Sequence, residues 1–458
     1  MRMNSPSSPG ADSKEAKLSG QLTFFDLWCI GVAALVGAGI FVLTGVAAGR
    51  AGPALFVSFL IAGVVALLTA LSFAELAGMF PDAGASYVYC REAFSTFSPR
   101  WGDFVSIVAG WTLMTQYVIV GSAVWLGFGL YARYLYAGFS ATTWAALIGL
   151  LTTFLLYFGL KLSKHVINTL VLLKVLALVL FVVLGIHAAI RPSPPAQIPF
   201  MPFGWTGVVA AAALLAFGQT HIDAICMLAE EARNPRRDVP LATITSVLAV
   251  VLLYTLVGWT SVRIVDWRVL PNLDAPLATA IKTLLSTKSL FAHLAPAFIA
   301  VVGIAATATS GIGCLLGAPR VGLAMARHHK LPRFFATVHP RFQSPTVGTI
   351  LLGLLGTGFA LTGNLSVVAS AGVFAALVVF VFVNISVLIL RHKRPTLTRP
   401  FRIPLSIAGQ PLPCILALLG VLGELYYLSW HAILIGLGWL ASGLIVYFFY
   451  RDREASRV

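Results

Sequence analysis

Residues 167–185 read INTLVLLKVLALVLFVVLG: nineteen positions with one charge, Lys174. A helix of that length crosses the hydrocarbon of a bilayer, where every backbone N–H and C=O must find its partner within the protein. Runs of this kind recur along the chain. Turn signals separate twelve of them, over 22–47, 53–79, 99–130, 141–160, 164–190, 204–230, 236–262, 294–325, 345–363, 366–390, 408–428 and 430–450. Charged residues make up 10% of the 458 positions, against about 25% in soluble domains. These features predict an all-α polytopic membrane protein with about twelve transmembrane helices.

The net charge of +15 does not point to nucleic acid once its distribution is considered. An even number of spans places both termini on one side. The tails and loops of that side carry 23 Lys and Arg, the opposite loops carry 7, and Lys174 is the one that remains. The positive-inside rule then makes both termini cytoplasmic, in an integral protein of the plasma membrane. The loop RHHKLPRFFATVHPRFQSP (327–345) is the densest basic stretch and reads as an orientation determinant beside lipid headgroups. Segment 1–21 has neither an apolar h-region nor a small-residue cleavage site, so it is expected to be a disordered cytoplasmic tail, with 451–458 as its C-terminal counterpart. The five cysteines are scattered without a CxxC pair and read as small buried side chains. No P-loop, nucleophile elbow, HExxH or cofactor fingerprint occurs, so no enzymatic activity, cofactor or metal is expected. No filter-like segment repeats, which argues against a channel.

Lys174 lies about two turns inside its span, roughly 15 Å along the helix from Lys164. A lysine stem covers only part of that distance, so snorkelling to the interface competes with a functional role, and ionisable groups at depth commonly mark ion and proton pathways. A second oddity is GVAALVGAGIFVLTG (31–45), where four of fifteen residues are glycine. Glycine weakens a helix where a broken helix is most costly. Either small residues let helices pack closely, or the helix is interrupted so that a ligand can meet the main chain. The sixth span carries a matching irregularity: AFGQTHIDAICMLAEE (216–231) places Gln219, Thr220, His221 and Asp223 after Gly218. His221 and Asp223 could satisfy each other as a structural pair. Two interrupted spans, each opening a five-span unit, are the pointer to an inverted-repeat transporter.

GAGIFVLTG (37–45), FAELAGMFPDAGASYVY (73–89), AEEARNPRRDVP (229–240) and RVGLAMARHHKLPRFFATVHPRFQSPTVG (320–348) resemble the amino acid–polyamine–organocation (APC) superfamily of permeases, and within it the bacterial relatives of cationic amino acid transporters. The resemblance covers roughly 22–395. It implies a LeuT-like fold: a first inverted repeat over 22–190, a second over 204–391, broken helices 1 and 6, and two further helices over 408–450. It also implies secondary amino-acid transport across the lipid bilayer. The substrate carboxylate would meet backbone N–H groups around Ala38, Gly39 and Ile40, with Thr44 and Gly45 just beyond. The substrate ammonium would meet carbonyls near Val36, Phe217, Gly218 and Thr220, and Phe217 resembles the aromatic residue that covers the pocket. Lys174 matches a fifth-span lysine of proton-coupled members, with Thr309 and Ser310 as the nearest hydroxyls of span 8.

Two departures bear on selectivity. Gln116 stands where the branch usually has a glutamate, and GQTHID (218–223) replaces a more apolar stretch. Both depart from the pattern that goes with lysine and arginine in the branch, and the missing acid at Gln116 favours neutral amino acids. Of the intramembrane acids, Asp26 reads as a helix cap and Glu75 as a structural or gating residue, while Glu424 has no reading. The function expected is proton-coupled amino-acid symport. The alternatives are an amino-acid or amine exchanger without net proton flux, and a non-transporting sensor or complex subunit. The oligomeric state stays open.

Overall fold

The computed structural model describes residues 21–455 apart from 83, 160–163, 190–198, 286–289, 329 and 343. Within them the chain forms sixteen α-helices. The first half contains α1 (Phe24–Leu35), α2 (Ala38–Phe41), α3 (Leu43–Ala51), α4 (Leu55–Met79), α5 (Ser86–Phe94), α6 (Pro99–Leu135), α7 (Ala141–Tyr157) and α8 (Lys164–Ala189). The second half contains α9 (Gly204–Leu215), α10 (Pro235–Ile264), α11 (Pro276–Leu284), α12 (Leu290–Arg327), α13 (Thr346–Ala360), α14 (Leu365–Lys393), α15 (Leu412–Tyr426) and α16 (Trp430–Ala455). Two short strands, β1 (Ser406–Ile407) and β2 (Gln410–Pro411), form an antiparallel hairpin between α14 and α15.

Eight helical stretches among the described residues are long and apolar enough to cross a membrane. Four further apolar helices, α1, α7, α13 and α15, are shorter than that length. The protein is therefore an all-α polytopic membrane protein. Its outer surface carries large exposed apolar side chains, such as Leu172, Leu176 and Val183 on α8. On the same helix Val171, Lys174, Leu178 and Phe181 are buried, a spacing of three and four that defines the core-facing stripe. Lys174 is thus turned into the protein and does not snorkel along lipid.

Helix starts follow local chemistry. Thr23 and Asp26 form a reciprocal capping box at α1, which bears out the reading of Asp26 as a cap, and Asn168 also donates to Asp26 Oδ1 at 3.2 Å. Ser98 caps α6 ahead of Pro99, and Ser140 caps α7. Two helices fall where loops were expected. In α5 the side chains of Tyr87, Tyr89, Cys90 and Ala93 are buried, and in α11 those of Leu277, Ala278 and Ile281, so each short helix is held by one apolar face. The last helix runs to Ala455, beyond the expected end of span 12, because Arg451–Ala455 contains no helix breaker. The expected N-terminal tail lies outside the described residues except for Gln21, as do the last three residues of the C-terminal one.

The interior is built on two long helix pairs, α4 against α10 and α6 against α12. The start of α1 is tied to the end of the sixth expected span: Leu22 pairs with Ala232, and Arg233 N donates to Leu22 O at 2.8 Å.

Candidate functional site

At Leu35 the first span stops being helical. Val36 is extended (φ −85°, ψ 94°), Gly37 follows at φ −149°, ψ −139°, and α2 begins at Ala38. A helix end leaves carbonyls without partners along the chain. Four other helices supply them here. Lys174 Nζ on α8 donates to Val36 O at 3.2 Å and Ala33 O at 3.5 Å, and Ser310 Oγ on α12 donates to the same two carbonyls at 3.4 and 3.5 Å. Tyr254 OH on α10 donates to Leu35 O, and Tyr131 OH on α6 to Phe41 O, each at 2.8 Å. Lys174 is 1% exposed and forms no salt bridge with a carboxylate among the described residues.

The sixth expected span is interrupted too. After α9 the chain runs through three 3-10 segments, Ala216–Gln219, Ile222–Ala224 and Cys226–Glu231. Gln116 on α6 donates its amide to Thr220 O, and Thr220 Oγ1 lies 3.0 Å from Phe217 O and 3.2 Å from His221 Nδ1. His221 and Asp223 are not a mutual pair. His221 Nε2 meets Cys314 Sγ at 3.3 Å, and Asp223 Oδ2 accepts from Tyr117 OH at 3.3 Å. The two interrupted segments touch at their glycines: a Cβ on Gly39 would stand 2.7 Å from Gly218 Cα. A side chain cannot occupy that approach without backbone movement.

Between the breaks lies a narrow space of about 210 Å³ counting its open mouth. Gly37, Ala38 and Gly39 form one wall, and Phe217, Gly218 and His221 another. Val120 and Val124 of α6 and Ser310 of α12 close it. Four of the residues expected at the substrate site, Ala38, Gly39, Phe217 and Gly218, line this space. The others do not line it. Val36 O is engaged by Lys174 and Ser310, and Ile40 O accepts Thr44 Oγ1 at 2.6 Å. Gly45 faces Leu270 O, away from the cavity. Gln116 sits one turn from Val120 on the same face of α6, and its amide goes to Thr220 O, which is outside the cavity lining. Of the two hydroxyls expected near Lys174, Ser310 meets it at shared carbonyls, whereas Thr309 donates to Ala305 O at 2.7 Å within its own helix. Tyr131, Tyr254 and Cys314 were not anticipated, because nothing local in their spans sets them apart.

The other intramembrane acids take different roles. Glu75 is 1% exposed and accepts from Arg391 Nε at 2.8 Å, Arg391 Nη2 at 2.5 Å and Ile403 N at 2.9 Å, with Arg399 Nε 3.3 Å away. It therefore clamps the end of α14 and the following loop onto α4. Glu424 on α15 is 2% exposed, and its Oε1 has no hydrogen-bond partner among the described residues.

Comparison with known sequences agrees with this architecture. The profile of a family described as amino acid permease matches residues 22–450. The branched-chain amino acid permease BcaP of Bacillus subtilis is 32% identical over 465 aligned residues, covering 97% of this chain and 96% of the relative. The methylthioribose transporter of the same organism is equally similar, at 32% over 464 residues with the same coverage. The vacuolar cationic amino acid transporter 4 of Arabidopsis thaliana is 34% identical over 417 residues, covering 86% of this chain and 66% of the relative. These relatives are transporters and not enzymes.

Proposed function

The chain belongs to the amino acid permease family, and from that premise we propose that it is a proton-coupled symporter of amino acids working by alternating access. The observation that carries the coupling is the Lys174 ammonium, held by two carbonyls at the break in the first span. Those carbonyls belong to the segment that also borders the cavity, so movement of that segment changes the partners of the ammonium and with them its hold on a proton.

The proposed frame is twelve spans in a LeuT-like 5+5 inverted repeat with two further helices, in the plasma membrane with both termini cytoplasmic. Eight long stretches and four shorter apolar helices support the count. The pairing of α4 with α10 and of α6 with α12 supports the repeat, since each joins a span to the one five places later. The substrate carboxylate is placed at the N–H groups of Ala38, Gly39 and Ile40. Its ammonium is placed at the carbonyl of Gly218, with that of Phe217 beside it, because Lys174 engages the carbonyl of Val36, Gln116 that of Thr220 and the Thr220 hydroxyl that of Phe217. Even counting its open mouth, the space falls below the ~300–1,000 Å³ usual for ligand sites, so loading widens it. Neutral substrates are favoured, because Gln116 brings no negative charge and the branched-chain permease is among the relatives.

The test is uptake by the purified chain in liposomes. Twenty amino acids, polyamines and methylthioribose compete against one labelled neutral amino acid, with an imposed inward acid gradient. Accumulation that follows the acid gradient and is blocked best by neutral amino acids is the expected result. Counterflow indifferent to pH would replace symport by exchange, and sodium dependence would remove the proton. Absence of any uptake would leave a sensor or complex subunit.

A further inference from the structure

A second cavity, of about 650 Å³ counting its open mouth, lies far from the first in sequence and chemistry. It is lined by Arg391, Arg399 and Arg402 together with Pro395, Leu397 and Gly409. Arg391 is near the end of α14, a stretch of high hydropathy that finishes at Lys393, so the cavity sits at the depth where a span gives way to headgroups. The loop after α14 forms one side and the β1–β2 hairpin, through Gly409, the other.

Two guanidiniums meet a single carboxylate here, and Arg402 lines the same cavity. Glu75 takes two hydrogen bonds from Arg391 and lies 3.3 Å from Arg399. Arg399 spends its remaining donors on carbonyls: Nη1 on Pro395 and Leu397, Nη2 on Leu390 and Arg394. It thereby caps the negative end of α14, which would otherwise repel an anion. Burial, opposed by Glu75 and reinforced by the like charges of Arg391 and Arg402, pushes the Arg399 guanidinium below its ordinary range. Arg391 is 7% exposed, and its Nη1 has no partner among the described residues. Arg402 is exposed and forms no hydrogen bond or ion pair within them. The cluster therefore holds one buried, unspent donor and one free cation around a space of ligand size, with positive charge in excess.

We propose that this cavity is a binding site for a phosphomonoester anion, held by Arg391 and Arg402. Arginine presents a planar set of donors that matches phosphate oxygens. The phosphate can come from an anionic lipid headgroup at the membrane surface or from a free phosphate in solution, and the same guanidiniums serve both. The inference is independent of the transport mechanism, since no residue of the substrate cavity takes part.

The test titrates delipidated full-length protein separately with phosphatidic acid, phosphatidylcholine and sodium phosphate, reading bound species by native mass spectrometry and the midpoint of thermal unfolding. Phosphatidic acid is expected to bind at least about tenfold more tightly than the zwitterionic lipid. Arg402→Gln is expected to remove about tenfold of that, the worth of one charge-assisted hydrogen bond. Arg402 has no partner among the described residues, so this variant keeps the Glu75 clamp and folds. Arg341→Gln, at an exposed arginine elsewhere, should leave binding unchanged. Retention of phosphatidic acid that sodium phosphate does not displace assigns the site to a headgroup. A rise in unfolding midpoint with sodium phosphate, absent in Arg402→Gln, assigns it to the free anion. Equal retention of the two lipids with no effect of phosphate overturns the proposal, and so does a loss in Arg402→Gln no greater than in Arg341→Gln.

Discussion

Lys174 and Glu75 are each 1% exposed, yet they are held in opposite ways. Glu75 has a fixed counter-charge: two parallel hydrogen bonds from Arg391, a backbone N–H from Ile403, and Arg399 beside it. Among the described residues Lys174 has only neutral partners, the carbonyls of Ala33 and Val36, at 3.5 and 3.2 Å. Moving a paired buried charge away from its partner leaves two uncompensated ions, so the Glu75 clamp resists rearrangement. Dipolar partners can be exchanged at smaller cost. The two sites suggest a division between a closure that fixes α4 to α14 and a centre that can change state when the first span moves.

The largest expected effect tests the clamp. Glu75→Leu leaves Arg391 buried with, among the described residues, only the Ile403 carbonyl, at 3.4 Å, and should cost about 3–5 kcal/mol of stability. Adding Arg391→Met to Glu75→Leu removes the orphaned charge and should restore most of that loss. Unfolding midpoints in detergent measure both. If Glu75→Leu alone unfolds no earlier than the unmutated protein, the clamp is not structural and the contrast with Lys174 collapses.

Next in size is the loss of function expected at Lys174. Lys174→Ala removes an ammonium but leaves Ser310 donating to Val36 O and Ala33 O, so the break keeps a partner and the protein should fold. Substrate binding should remain measurable, whereas accumulation driven by an inward acid gradient should vanish. Exchange of internal for external substrate can survive, because it need not complete a proton cycle. Each pKa unit by which two conformations differ at this lysine is worth about 1.4 kcal/mol of coupling. Full gradient-driven uptake by the variant would take the lysine out of the mechanism, and unfolding as severe as that of Glu75→Leu would make it a structural charge like Glu75.

Both charges could be read in the sequence, and the resemblance pointed to Ser310 beside Lys174, but the partners of Glu75 and the tyrosines at the break could not be read. Lys174 stands out because eighteen neighbours in its stretch are uncharged, and the breaks stand out because glycine and polar residues are anomalous at such depth. The partners come from spans remote in sequence: Arg391 lies 316 residues from Glu75, and Tyr254 lies 219 from Leu35. Periodicity within a span carries no information about such pairings. Helix phase explains the finer miss at Thr309 and Ser310. Successive residues point about 100° apart around a helix, so only one of two adjacent hydroxyls can face the break. The four cavity-lining residues were legible through the motif, whereas Gln116 is one turn removed because its amide reaches the sixth span's Thr220 carbonyl.

A smaller effect is expected where the two broken segments meet. Gly39→Ala places a methyl group 2.7 Å from Gly218 Cα, and backbone must move to admit it. Overpacking of this kind costs about 1–3 kcal/mol. Because the same methyl group borders the cavity, substrate affinity should fall together with stability, and Gly39→Leu should abolish binding. Thermal unfolding and equilibrium binding on the same purified sample separate the two effects. Unchanged affinity in Gly39→Ala would leave the glycine a packing role alone.

The smallest expected effect concerns Gln116, and it has two opposing parts. A carboxylate at this position would attract a cationic side chain, moving preference toward lysine and arginine by about 1–2 kcal/mol if the site is partly desolvated. The amide now donates to Thr220 O, and an ionised carboxylate has no proton to donate. Gln116→Glu therefore sets a carboxylate against a carbonyl, and leaving that carbonyl unpaired costs about 1–3 kcal/mol. A cationic substrate that comes to lie between the two oxygens would relieve the conflict, so the variant should be stabilised more by arginine than by leucine. The unmutated protein should show the reverse order. Competition for labelled neutral substrate gives the selectivity, and unfolding midpoints with each amino acid give the linkage. Arginine as the best competitor for the unmutated protein would refute the neutral preference. Gln116→Glu that loses stability without any shift toward arginine would mean that the position serves only to hold the sixth span's break, a neutral counterpart of what Arg391 does for Glu75.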